Sequence, residues 1–142
     1  MSQTAFLPRA DADQLHALLV EDDESLNKVM SRQLEQMGCT VRSAQNASGF
    51  FAELIQVDSH FDLAIVDLQL PGLAGDKIIS WLRESELSTL RQLPVLIVTG
   101  FPQLARDMLI EENINAEVVS KPYRYDDLKA AVARIVSKGQ LH

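Results

Sequence analysis

Cysteine occurs once in this chain, at Cys39, so no disulfide can close within it. Histidine occurs three times, and those residues and the cysteine are scattered in no zinc-ligand spacing. Basic residues are outnumbered, 13 Lys and Arg against 20 Asp and Glu, for a net charge of −7. They form no stripe, which argues against direct nucleic-acid binding, because that mode needs a basic footprint. No apolar run approaches the ~20 residues that span a bilayer. The N-terminus lacks the cationic-then-apolar order of a signal peptide. Glycine and proline are sparse, 6 and 5 residues, so the chain is neither fibrous nor disordered in composition. No Gly-rich run precedes a Lys-Ser/Thr pair, so a Walker-type nucleotide site is not supported. What remains is an acidic chain of 142 residues with 46% hydrophobic content, enough for one domain with a real core. The expected location is the cytosol, either alone or as the cytosolic part of a longer, membrane-attached chain.

Short apolar runs alternate with helical patterns. Residues 1–14 contain Pro8 and no sustained period, and read as a leader or linker. "LHALLV" (15–20) is a strand of the buried type, followed by "ESLNKVMSRQLEQMG". In that segment Leu26, Val29, Met30, Leu34 and Met37 recur at helical spacing, and Gly38 stands where a C-terminal cap belongs. "CTVRSA" is a second strand, "NASGFFAELIQVDSH" a second helix and "FDLAIVDL" a third strand. "PGLAGDKIISWLRESELSTLRQ" opens with turn residues and continues as one helix. "LPVLIVTG" is the strongest strand signal, "FPQLARDMLIEEN" a fourth helix, "AEVVSKP" a fifth strand and "YDDLKAAVARIVSKG" a fifth helix. Strand and helix therefore alternate five times. Continuously apolar strands imply a sheet covered on both faces, and right-handed crossovers make it parallel. The predicted fold is α/β: a (βα)5 doubly wound, five-stranded sheet over 15–138, with 139–142 as a tail.

In an open parallel sheet, ligands sit beyond the carboxyl ends of the strands. Four of the five strands deliver a reactive side chain there: Glu21 and Asp22 after the first, Asp67 after the third, Thr99 after the fourth, Lys121 after the fifth. Each alone reads equally well as a helix cap or a wet loop. Together they form one rim. Asp23 and Glu24 are better suited to the start of the following helix, where negative charge is favourable. Three uncompensated carboxylates would raise one another's pKa values. A hard divalent cation such as Mg²⁺ resolves that repulsion, and Lys121 adds one positive charge. An aspartate beside a cation and a lysine is equipped to attack phosphorus.

The pieces "LLVEDD", "LAIVDLQLPGLAG", "VLIVTG" and "VVSKP", in this order, resemble the response-regulator receiver domain of bacterial two-component signalling. The resemblance runs from about Leu15 to about Lys138 and implies a flavodoxin-like strand order of 2-1-3-4-5. It implies Asp67 as phospho-acceptor, Asp22 as a direct Mg²⁺ ligand, Glu21 as a ligand through water, and the Gln69 backbone carbonyl completing the protein's share. It makes Thr99 and Lys121 partners of the phosphoryl group, Lys121 pairing first with Asp67. It implies a cis bond at Lys121–Pro122, an isomer essentially confined to proline. Pro71 and Gly75 match the loop after the acceptor, and Gly100 keeps the approach to Asp67 open. Gln69 and Phe101 occupy the positions that tune phosphoryl lifetime. Family members often carry an aromatic residue where this chain has Val118, so the usual threonine–aromatic readout lacks its ring.

The implied partner is a histidine kinase or histidine phosphotransfer domain. Helix four, strand five and helix five form the face that family members use for output or for a homodimer, and Tyr123 and Tyr125 lie near it. Such a domain supports its own phosphorylation and dephosphorylation, alone or within a hybrid histidine kinase. Two other readings compete: a phosphorylation-independent pseudo-receiver that only binds protein, and a small phosphatase or nucleotide-binding flavodoxin-like protein, the latter disfavoured by the missing phosphate loop. Trp81 beside Ile78, Ile79 and Leu82, like Phe50 and Phe51, reads first as packing, and His16 as structural.

Overall fold

The structure, a computed structural model, describes residues 15–56, 60–67, 75–112 and 116–140. The strands are β1 (Leu15–Val20), β2 (Cys39–Ala44), β3 (Leu63–Asp67), β4 (Val95–Thr99) and β5 (Ala116–Ser120). The helices are α1 (Glu24–Gln36), α2 (Ala47–Leu54), α3 (Gly75–Arg83), α4 (Ser88–Arg91), α5 (Pro102–Glu112) and α6 (Tyr125–Gln140). The strands form one sheet in the order β2-β1-β3-β4-β5, and every neighbouring pair is parallel. This is the (βα)5 parallel sheet that the alternation predicts, in the flavodoxin-like strand order that the family resemblance implies. Among the described residues no helix is long and apolar enough to cross a membrane.

Side chains alternate across each strand, so the sheet feeds two cores. Leu15, Ala17, Leu19, Leu63 and Ile65 face one side, where Met30 and Leu34 of α1 and Leu128 and Val132 of α6 cover them. Leu18, Val20, Ala64 and Val66 face the other, under Phe50 of α2, Ile78 and Leu82 of α3 and Ala105 of α5. Each large side chain buried in this way contributes about 1.5–3 kcal/mol relative to exposure. With both faces covered, the sheet itself is open at its ends and at its β2 and β5 edges.

The helix ends follow from their sequence. Asp23 is the N-cap of α1, its carboxylate accepting from the Leu26 amide at 2.9 Å. Gly38 closes that helix at φ 101°, its amide donating to Glu35 O at 3.0 Å, a conformation glycine adopts without strain. Asn46 caps α2 by accepting from Gly49 N at 2.8 Å.

Four details differ from the sequence reading. The segment read as one helix divides into α3 and α4. Ser85 Oγ accepts from Leu87 N at 3.1 Å, and the Arg91 guanidinium donates to Ser85 O and Glu86 O, both at 3.1 Å. These bonds satisfy groups that a continuous helix would have paired internally. The buried stripe of α1 is Asn27, Met30 and Leu34, while Leu26 and Val29 face solvent. Helical spacing alone cannot tell the two neighbouring stripes apart. Tyr123 packs on the α1 and α6 side of the sheet and donates to Gln33 Oε1 of α1 at 2.8 Å, so it turns away from α5. α6 also runs to Gln140, two residues into the stretch read as a tail.

Candidate functional site

Strand register assembles the site. Val20 lies opposite Val66, so the next residues, Glu21 and Asp67, come side by side. Asp67 lies opposite Val98, which puts Thr99 one step further out on β4. Thr99 pairs with Ser120, and the Lys121 amide continues the ladder to Thr99 O at 2.7 Å. Neighbouring strands are about 4.8 Å apart, so side chains on adjacent strand ends are within reach of one another.

Glu21, Asp22 and Asp67 each place a carboxylate oxygen within 4.8 Å of the others. Lys121 Nζ lies 3.1 Å from Asp67 Oδ2 and 3.6 Å from Glu21 Oε1. Glu21 is only 2% exposed and Asp67 only 6%, whereas Asp22 faces solvent. The cluster is thus two sheltered carboxylates with a third at the mouth. The Asp23 amide also donates to Glu21 Oε2 at 3.2 Å.

The electrostatics record the crowding. Burial pushes the Glu21 carboxyl above its usual 4.5, and the charge of Asp67 and a hydrogen bond with Asp22 push the same way. The Asp23 amide and Lys121 pull it down without cancelling the rise. Burial works against the Lys121 ammonium, but the hydrogen bond and charge of Asp67, together with Glu21, outweigh it and hold its pKa above 10.5. Among the described residues, one lysine, Lys121, is paired into this group of three carboxylates. That imbalance, in an all-oxygen donor set, suits a divalent cation.

Thr99 is fully buried, and its hydroxyl accepts from the Phe101 amide at 3.0 Å. Phe101 is 54% exposed, and its carbonyl accepts from Ala105 N at 3.2 Å at the start of α5. A Cβ built on Gly100 meets nothing within 4 Å. Val118 pairs with Ile97 and packs, partly buried, against the core beneath α2, α3 and α5. The Lys121–Pro122 peptide bond is cis. Gly75 opens α3. Gln69 and Pro71 lie outside the described residues. The structure therefore brings Glu21, Asp22, Asp67 and Lys121 together, with Thr99 at the same end of the sheet.

Two contributors escaped the sequence reading. Asn27 is buried, and its amide donates to Glu21 O at 3.0 Å and Ala44 O at 3.1 Å. Its signal was there: it shares a helical stripe with Met30 and Leu34, where a polar residue needs a partner. Tyr123 is pushed up to about 12 by burial and by the charge of Glu21. Nothing in its sequence context points to that influence.

Comparison with known proteins supports the same class. The response regulator receiver domain profile matches residues 17–133. The polar-differentiation response regulator DivK of Brucella ovis is 30% identical over 105 residues, covering 74% of this chain and 82% of DivK. Ethylene receptor 3 of Oryza sativa subsp. japonica is 29% identical over 123 residues, covering 86% of this chain but only 14% of the receptor. Among solved structures, the response regulator TrrA of Thermotoga maritima, in complex with Mg²⁺ and beryllofluoride, superposes with a TM-score of 0.72 at 20% identity. That match covers 85% of this chain and 98% of TrrA. The chain belongs to the response regulator receiver domain family, and its acidic cluster is the kind of oxygen site that a divalent cation fits.

Proposed function

We propose that Asp67 accepts a phosphoryl group from the phosphohistidine of a kinase or phosphotransfer domain, with Mg²⁺ at the acidic cluster. The observation that carries this is Lys121 Nζ held 3.1 Å from Asp67 and 3.6 Å from Glu21, inside a cluster of three converging carboxylates. An Asp67 carboxylate oxygen attacks phosphorus and forms the acyl phosphate. The P–N bond to histidine breaks, and its electron pair stays on the imidazole nitrogen. Lys121 gives up its pairing with the carboxylate and donates to a phosphoryl oxygen. Glu21, Asp22 and Asp67 supply the carboxylates that would hold Mg²⁺, and bound there the ion supplies charge neutralisation for the incoming phosphoryl oxygens. The carbonyl of Gln69 joins them by the family resemblance alone. The complex of TrrA with Mg²⁺ and beryllofluoride supports the choice of ion and ligand.

Readout follows a route suited to Val118. When the Thr99 hydroxyl turns to donate to the phosphoryl group, its bond to the Phe101 amide is strained or lost. Phe101 leads directly into α5, so the change reaches α5 without a ring relocating at position 118. Gly100 leaves the approach open, and Phe101 with Gln69 sets how readily water reaches the acyl phosphate. The output face is that of α5, β5 and α6, the five-helix numbering of the sequence reading shifting by one because of α4. Residues 15–138 act as the receiver unit, in the cytosol, and a hybrid sensor kinase is the proposed parent chain.

The test is incubation with Mg²⁺ and a small phosphodonor, then localisation of the phosphate by mass spectrometry. Modification of Asp67, absent in Asp67→Asn, supports the proposal. No modification by small donors or by phosphohistidine proteins leaves the pseudo-receiver reading, which Val118 favours.

A further inference from the structure

Asn27 sits in the first half of α1 and is 5% exposed. Its Nδ2 makes two hydrogen bonds, to Glu21 O at 3.0 Å and to Ala44 O at 3.1 Å. Both amide hydrogens are therefore spent, one on the end of β1 and one on the end of β2. The orientation of the amide is fixed by its surroundings, because the alternative would set its oxygen against two carbonyl oxygens. Ala44 O also accepts the Glu21 amide at 3.0 Å, and the Asn27 amide donates to Asp23 O at 2.8 Å. One side chain thus ties two strand ends to the first turn of the helix between them.

The consequence falls on Glu21 and Asp22. Glu21 is held at both of its backbone groups, its N–H by Ala44 and its C=O by Asn27. The Glu21 carbonyl lies in the peptide plane that also contains the Asp22 nitrogen and Cα. Holding that oxygen sets the plane, and the plane sets the direction from which the Asp22 side chain leaves. An apolar residue at position 27 would extend the stripe of Met30 and Leu34 but would take from Glu21 O the donor that Asn27 supplies and leave Ala44 O to the Glu21 amide.

We propose that Asn27 is a positioning residue of the cation site: it orients the Glu21–Asp22 peptide so that both carboxylates converge on Asp67. The proposal rests on the Mg²⁺ reading above. Outer partners that orient ligands typically matter by roughly 10–100-fold in metal affinity. The effect differs from general stabilisation, because it acts on affinity in the fully folded protein.

The test is calorimetric titration of Mg²⁺ into the full chain, well below the melting temperature, together with thermal unfolding. Asn27→Ala removes both bonds, and Asn27→Leu removes them while filling the volume, so the second serves if the first folds poorly. Val136→Ala, on the buried face of α6, is the matched control for lost stability. Both Asn27 variants are expected to bind Mg²⁺ roughly tenfold more weakly. Val136→Ala is expected to melt earlier and bind with unchanged affinity. Unaltered affinity in Asn27→Leu, or an equal loss in Val136→Ala, would overturn the proposal. Absence of Mg²⁺ binding by the unaltered chain would instead overturn the cation reading itself, and this inference with it.

Discussion

Asp62 and Asp67 flank the same strand, β3, at its opposite ends. Asp62 accepts from the His16 amide at 2.7 Å and lies 3.4 Å from the His60 imidazole, while its own amide donates to His16 O at 2.7 Å. It is a carboxylate satisfied by backbone and by one neighbour, closing the start of the sheet. Asp67 meets two more carboxylates and a lysine. Residue type and strand position are the same in kind. What differs is convergence: parallel strands bring five carboxyl ends to one rim, and four of them carry Glu21 and Asp22, Asp67, Thr99 or Lys121. A single acid after or before a strand is structural by default, and function is read from what the topology puts beside it.

The comparison can be tested from its strongest contrast downward. Asp67→Asn is expected to abolish phosphate incorporation, while Asp62→Asn leaves it intact, as read by mass spectrometry with a small phosphodonor. Loss in both variants would erase the distinction. Next, Lys121→Ala is expected to slow phosphoryl transfer by roughly a hundredfold, the scale for removing one donor from a developing anion. Its Mg²⁺ affinity should hold or rise, because a cation leaves the cluster, and stopped-flow rates with calorimetry separate the two effects.

A third contrast lies in pH. The Glu21 carboxyl is raised in the folded protein by burial first and by Asp67 second. A raised carboxyl contributes stability that is present below its unfolded value near 4.5 and is lost as pH rises through the folded value. Between neutral pH and that range, acidification should therefore raise the melting temperature through Glu21 when Mg²⁺ is absent, and weaken Mg²⁺ binding over the same range. Glu21→Gln should flatten both trends. The smallest effect belongs to the other end of the sheet. Burial, with the charge of Asp62, pushes the Cys39 thiol up to about 12. Its stability contribution is full below the unfolded value of 9.0 and declines as pH rises towards about 12. Asp62→Asn should lower the thiol pKa modestly, cost up to about 1 kcal/mol because the bond to the His16 amide is no longer charge-assisted, and leave Mg²⁺ affinity unchanged. Thiol alkylation rates against pH and thermal unfolding check this.

Much of the fold was legible because its signals are local. Buried-type strands such as "LLV" and "VLIV" declare themselves by unbroken apolar runs, and Gly38 and Asp23 mark helix ends by their own chemistry. The acid and lysine positions were legible because a topological rule says where strand ends meet. What was not legible depends on three-dimensional partners. Leu26 and Val29 fit the helical spacing as well as Asn27 does, and only the sheet beneath α1 decides which stripe is buried. The break between α3 and α4 depends on Arg91 reaching back to Ser85 and Glu86. Tyr123 finds Gln33 across the fold, a pairing that no local pattern encodes.

The most direct measurement is a beryllofluoride titration in the presence of Mg²⁺, followed by backbone NMR of the intact chain and of Asp67→Ala. The account predicts saturable, Mg²⁺-dependent binding, lost in the variant, with shifts at the Asp67, Thr99 and Lys121 amides that continue through Phe101 into α5. No binding to the intact chain, or equal binding to Asp67→Ala, would contradict it.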